Sequence, residues 1–226
     1  MATKILQPAD GVDTFIFGGD ATTNYGGNTN IFVGGLTGSN IYRTLIKFDG
    51  LSDGTIPSAA TISSATLSLY CSGENSSNAR TLRVFRLKRA WVEAQATWNI
   101  YSTGNKWQTA GGFGANDCEQ TDIGSRAFSA TETTGEYKDF SLTVADIQAI
   151  VNGTWTNNGF LIKADTESSD RYSFYSSDNA SNKPKLTIVY TTGPAGVKTI
   201  NGVAIASVKT INGIAIANVK SIQGLT

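Results

Sequence analysis

The chain has 226 residues, 40% of them hydrophobic and 16% charged, with 18 basic and 18 acidic side chains. A formal net charge of zero excludes the broad positive field that would draw it to nucleic acid. There is no histidine, which removes the commonest general base and imidazole ligand and argues against Ser-His-Asp or Cys-His catalysis.

The opening run MATKILQPADG lacks the apolar centre of a secretory signal, so no signal peptide is expected. No stretch is apolar for long enough to predict a transmembrane helix. The 24 glycines against 4 prolines, with abundant Ser, Thr and Asn, suit short strands joined by polar turns.

In chain order, strands are expected at 12–17 (VDTFIF), 31–33, 43–48 (RTLIKF), 61–70 (TISSATLSLY) and 80–87 (RTLRVFRL). In 43–48, Ile46 and Phe48 point inward and Lys47 outward. The 61–70 run alternates most cleanly. Ala65, Leu67 and Leu69 share one face and Thr66, Ser68 and Tyr70 the other, as in an antiparallel sheet with one buried side. Further strands are expected at 137–142, 159–163, 171–175 and 185–190. One short helix fits 144–152, with Thr143 as its cap, Gly153 as its stop and Ile147, Ile150 and Val151 on one face. This spacing predicts an all-β antiparallel sandwich rather than a βαβ fold. The expected division is a sandwich over 1–192, a linker over 193–196 and a repeat segment over 197–226.

The repeat segment has a period of eleven residues: VKTINGVAIAS (197–207), VKTINGIAIAN (208–218), then VKSIQGLT (219–226). Lys198, Lys209 and Lys220 fall in register, as do Gly202, Gly213 and Gly224. No acid accompanies these lysines, so the body is slightly acidic. A β-prone repeat that cannot bury its own apolar face must stack on something. Asn-Gly at 201–202 and 212–213 favours type I′ hairpins. Arms of about four residues would be marginal alone. The candidate assembly residues are Val197, Ile200, Val203, Ile205, Val208, Ile211, Ile214, Ile216, Val219 and Ile222.

Several side chains are candidates for ligand binding. Trp91 and Trp98 read as core residues closing one end of the sandwich, whereas Trp107, in a Gly-rich loop, is the better candidate to stack on a sugar ring. Arg83, Arg86 and Lys88 lie in a basic row with Arg80 and Arg89, which could fork onto carboxylate or phosphate of an acidic polysaccharide. The alternative, favoured by the acidic body, is a solvated strand face balanced by nearby acids. Arg171 and Tyr175 share the polar face of RYSFY, opposite Tyr172 and Phe174. Asp10 and Asp13 lead a group of aspartates, with Asp20, Asp165 and Asp178, whose oxygens suit a structural calcium ion. They lack EF-hand spacing, and turn capping is the alternative reading. Cys71 and Cys118 are either paired or two separate buried thiols.

Motifs spread along the body carry a family resemblance. They run from Asn24-Tyr25-Gly26 and IFVG (31–34) through RTLIKFD (43–49), Ile56-Pro57 and ATISSATLSLY (60–70). They continue with Trp91-Val92-Glu93, Thr97-Trp98-Asn99, Asn158-Gly159-Phe160 and KPKLTIVY (183–190). In this order, over roughly 8–190, the chain resembles the jelly-roll β-sandwich modules of the disaggregatase-associated, DNRLRE-labelled type, some of which are classed as carbohydrate-binding modules. The resemblance implies a non-catalytic jelly-roll sandwich. The tail resembles short terminal repeats in structural proteins of tailed bacteriophages.

These readings together give the expectation of a non-enzymatic virion surface protein, on the capsid or a fibre. Its expected partners are copies of itself, other virion proteins and a polysaccharide, with neither nucleic acid nor membrane. No cofactor is expected beyond structural calcium. The alternative is a secreted bacterial carbohydrate-binding module.

Overall fold

A computed structural model of the chain describes residues 1–8 and 12–192, with the backbone of 199–200, 203–204, 209–211 and 214–215 in the tail. The first half of the body supplies β1 (Ala2–Leu6), β2 (Asp13–Phe17), β3 (Asn30–Gly35), β4 (Ile41–Ile46), the long β5 (Thr61–Asn75) and β6 (Arg80–Arg86). A small hairpin follows, β7 (Ile100–Ser102) with β8 (Asn105–Lys106). Then come β9 (Gly124–Phe128), β10 (Glu136–Leu142), the helix α1 (Val144–Val151), β11 (Phe160–Ala164), β12 (Asp170–Tyr175) and β13 (Lys185–Thr191). Among the described residues, no helix is long and apolar enough to cross a membrane.

All ladders of the body are antiparallel. Eight strands hydrogen-bond in the order β5-β10-β9-β6-β11-β4-β3-β12, and β12 pairs back onto β5. The all-β expectation with one short helix therefore holds, and the strands form a closed, barrel-like sheet rather than two cleanly separated layers. β5 makes this closure. Its first half pairs with β13, from Thr191↔Thr61 to Lys185↔Ser68, and its second half pairs with β12, from Phe174↔Cys71 to Arg171↔Asn75. β10 holds its other side from Leu142↔Ala65 to Glu136↔Cys71. At fifteen residues, β5 is long enough to serve both partners in turn. β1 extends the sheet beyond β13, and β2 pairs with β4.

The alternation read along 61–70 fills the ring. Leu67, Leu69 and Cys71 of β5 meet Val84, Phe140, Phe160, Ile162, Tyr172 and Phe174 inside. Each fully buried aliphatic or aromatic side chain of this kind contributes roughly 1.5–3 kcal/mol. Helix α1 plugs one end with Ile147, Ile150 and Val151. Thr143 stands at its cap position, but its hydroxyl donates to the Ile123 carbonyl at 3.0 Å instead of capping. Gln148 ties the helix to β5: its amide oxygen accepts from the Ile62 N–H at 2.9 Å and its amide nitrogen donates to the Ala60 carbonyl at 2.9 Å.

Residues 87–123 form a second layer outside the ring. Ile16 of β2, Leu45 of β4, Phe85 of β6 and Leu161 of β11 point outward and are covered by Leu87, Ala96, Trp107 and Cys118. Trp91, Trp98, Tyr101 and Phe113 seal the margin. This layer explains why β4 and β11 are buried on both faces. Cys71 lies inside the ring and Cys118 in the outer layer, so the thiols are separate, buried and unbridged.

In the tail, β14 (Thr199–Ile200) pairs with β15 (Val203–Ala204), and β16 (Thr210–Ile211) with β17 (Ile214–Ala215). Closing pairs Ile200↔Val203 and Ile211↔Ile214 match the hairpins expected at the two Asn-Gly pairs. The linker at 193–196, both Asn-Gly pairs, and Val197, Ile205, Val208, Ile216, Val219 and Ile222 lie outside the described residues.

Candidate functional site

The outer layer is organised by one buried acid. Asp117 is fully buried. Its carboxylate accepts backbone N–H groups from Gln108 at 2.9 Å, Thr109 at 3.0 Å and Gly114 at 3.2 Å. The Arg89 guanidinium stands 3.5 Å away. Gathering these amides folds the Gly-rich loop onto the ring and buries Trp107, which is 4% exposed. The Trp107 indole N–H donates to the Thr97 carbonyl at 2.9 Å, and its ring packs on Tyr101. Trp107 is therefore a core residue, and the expectation of a ligand-stacking ring there is corrected. A glycine-rich loop looks open in sequence, but a buried carboxylate that collects its amides closes it.

The basic row is balanced within the protein. Arg83 pairs with Asp122 at 3.1 Å, and Arg86 and Lys88 both reach Glu119, at 2.6 and 3.2 Å. Arg80 pairs with the buried Asp170 at 2.5 Å. Arg86 also lies over the Trp155 ring at 4.2 Å. A cavity of about 270 Å³ beside this row has acidic lips at Glu119, Asp122 and Asp146. The arrangement is the balanced strand face, not a free basic surface for a polyanion.

Arg171 and Tyr175, which share a strand face, belong to different clusters. The Arg171 guanidinium lies over the rings of Phe32 at 4.8 Å and Tyr42 at 5.3 Å, within a patch that includes Phe15, Phe17 and Tyr25. Tyr175 stacks on Tyr70 with ring centroids 5.2 Å apart and planes within 9°. Tyr137 meets Tyr70 edge-on at 5.3 Å, and the Lys185 ammonium stands 3.8 Å over the Tyr137 ring. These side chains come from β12, β5, β10 and β13, on the outer face of the ring, and all are half-buried. Beside them, Ser72 donates its hydroxyl to the Asn30 amide oxygen at 3.0 Å. The result is an aromatic ledge edged by hydroxyl, amide and ammonium groups. Tyr70 and Tyr137 were not singled out in the sequence. Their signal, aromatic residues on the polar face of their strands, is visible only once the register Tyr137↔Tyr70 is known.

A second cluster is acidic. Asp13 on β2, Glu93 in the outer layer and Asp178 in the turn after β12 bring one carboxylate oxygen each to within 4.8 Å of one another. Asp13 is fully buried, and its Oδ2 accepts the Ser177 N–H at 2.7 Å. Asp13 Oδ1, Glu93 Oε1 and Asp178 Oδ2 are each buried without a hydrogen-bond partner. Burial pushes Asp13 up to about 7, opposed by the hydrogen bond from the Ser177 N–H and helped by the like charges of Glu93 and Asp178. Burial and the Asp178 charge likewise push Glu93 up to about 7. Among the candidate aspartates, Asp13 and Asp178 meet here, Asp10 lies outside the described residues, and Asp20 and Asp165 are engaged elsewhere, with the Tyr25 hydroxyl and the Thr166 N–H. Glu93 was not among the candidate acids: it appears in the sequence analysis only as part of the Trp91-Val92-Glu93 motif.

Local structure also explains the family motifs. The Asn24 amide donates to the carbonyls of Glu93 and Ala96, at 2.5 and 2.8 Å, and a Cβ at Gly26 would press on Glu93. The Trp91 indole N–H donates to the Asn158 carbonyl at 2.9 Å. Asn24-Tyr25-Gly26, Trp91-Val92-Glu93 and Asn158-Gly159 thus clamp the outer layer to the ring. No curated protein matches the chain. The sequence model of the disaggregatase related repeat domain matches residues 18–188, well over half of the chain and spanning these clamps. The chain belongs to the disaggregatase related repeat domain family.

Proposed function

We propose that the chain is a non-enzymatic glycan-binding module displayed in many copies on the surface of a bacteriophage particle, with its C-terminal repeats as the attachment and assembly segment. The observation that carries the glycan reading is the ledge of Tyr70, Tyr137 and Tyr175 with Lys185. Aromatic rings stack on the apolar faces of sugars, and the flanking hydroxyl and amide groups offer the hydrogen bonds that orient them. Weak single sites of this kind become effective through multiple copies. The jelly-roll description of the body belongs with this reading. It is supported by the family membership and by the handover of β5 between β13 and β12.

A glycan array with the full chain tests the proposal. At least one neutral or acidic polysaccharide should be retained, and Tyr175→Ala should weaken it about tenfold, the equivalent of about 1.4 kcal/mol. The variant's melting curve should stay close to that of the parent, because the ring is half-exposed. A silent array, or undiminished binding by both Tyr175→Ala and Tyr70→Ala, would remove the glycan role.

Deletion of residues 194–226 is expected to convert an oligomer into a soluble monomer in light scattering. An unchanged mass would refute assembly through the repeats. Peptides of the chain should appear in mass spectra of purified particles. Their absence from particles, with recovery in culture supernatant, would replace the virion setting by a secreted module.

A further inference from the structure

We propose that Asp13, Glu93 and Asp178 bind a calcium ion that pins the outer layer and the turn after β12 to the ring. The geometry fits. Calcium sits 2.3–2.6 Å from each oxygen, so oxygens around one ion can be up to about 5 Å apart. The three carboxylate oxygens lie within 4.8 Å of one another.

Their orientation is the second argument. Asp13 is fully buried, yet its Oδ1 has no hydrogen-bond donor, and its carboxylate lies beside two others, one oxygen of each within 4.8 Å. Glu93 Oε1 and Asp178 Oδ2 are likewise buried and unpartnered in the same group. A buried acceptor without a donor costs about 1–3 kcal/mol, and like charges raise the penalty. Separate orphans scattered through a protein would be a defect. Three on neighbouring carboxylates suit a coordination sphere, because one hard cation can satisfy all of them at once. The donor set is all oxygen and carboxylate, with no imidazole or thiolate, which selects calcium over zinc or copper.

The connectivity gives the ion a structural role. Asp13 belongs to β2, Glu93 to the outer layer and Asp178 to the turn that follows β12. The Ser177 N–H already bonds Asp13, so the turn is held beside the site before any ion enters. Glu93 is held from its other side, its carbonyl accepting from Asn24. A bound ion therefore ties together segments far apart in sequence.

Calorimetric titration of the full chain, stripped with chelator and then exchanged into chelator-free buffer, tests this with calcium chloride as the probe. One calcium ion per chain is expected to bind, with a rise in melting temperature at millimolar calcium. Asp13→Asn and Glu93→Gln should each weaken binding at least tenfold. Because they remove a buried charge without changing shape, both should fold, and the metal-free Asp13→Asn protein should melt at or above the metal-free parent. Asp20→Asn, an acid outside the cluster, should bind as the parent does. No stoichiometric calcium uptake by the parent, or unaltered uptake by both cluster variants, would overturn the assignment. The readout is independent of any glycan, so it stands or falls separately from the ledge.

Discussion

Replacing Arg43 with alanine is expected to lower the unfolding free energy by about 3–5 kcal/mol, the loss typical when one partner of a buried ion pair is removed. Arg43 is 8% exposed on the outer face of β4. Its Nε and Nη2 donate to Glu167 Oε1 and Oε2, both at 2.7 Å, and its Nη1 donates to the Gly111 carbonyl at 2.7 Å. The guanidinium also lies 4.9 Å over the Trp98 ring. One side chain thus joins the ring, the turn before β12 and the outer layer. Alanine leaves Glu167 with only Lys163, 3.6 Å away, and leaves a buried carbonyl unpaired. Arg43→Lys keeps the charge but loses the fork and should fall between the two. Urea unfolding monitored by tryptophan fluorescence measures this. A loss below about 1 kcal/mol would show that the pair behaves as an exposed one.

The second large effect is expected at Asp117. Asp117→Ala orphans the amides of Gln108, Thr109 and Gly114 together, at about 1–3 kcal/mol for each group left buried and unpaired. The damage should be local. The loop that covers Trp107 opens while the ring interior, built from other residues, stays packed. Tryptophan emission should shift to the red, and amide exchange should accelerate across 105–118 before it does in β5 or β10. Uniform loss of protection throughout the chain would mean that the layer and the ring unfold as one unit.

Much of this architecture is legible locally. Period-two alternation places β5, β10 and β12 because their inward residues are apolar and their outward ones polar. β1 escapes because four of its five residues are exposed and its place is fixed by pairing with β13. β9, with the sequence GSRAF, offers one large apolar side chain and is held by β6 and β10. Ring closure escapes as well, since no local pattern tells β5 to exchange one partner for another.

The candidate clusters divide the same way. Asp13 is conspicuous as an acid inside an apolar strand, but Glu93 and Asp178 reach it only through the fold. Trp107 is buried rather than open because Asp117, not the surrounding glycines, decides where the loop goes. The basic row looks like a binding face until its carboxylate partners arrive from the outer layer and β12.

The handover along β5 has a mechanical consequence. Thr61, at its start, pairs with Thr191, from which the chain runs on into the repeats, whereas Tyr70 of the ledge lies nine residues further along. At about 3.3 Å per residue, these points are roughly 30 Å apart along one strand. In the proposed function, a pull between a glycan on the ledge and an anchored tail would load β5 and β13 lengthwise, in opposite directions. Their ladder, from Lys185↔Ser68 to Thr191↔Thr61, is strained in shear, so its hydrogen bonds share the force instead of peeling apart one at a time.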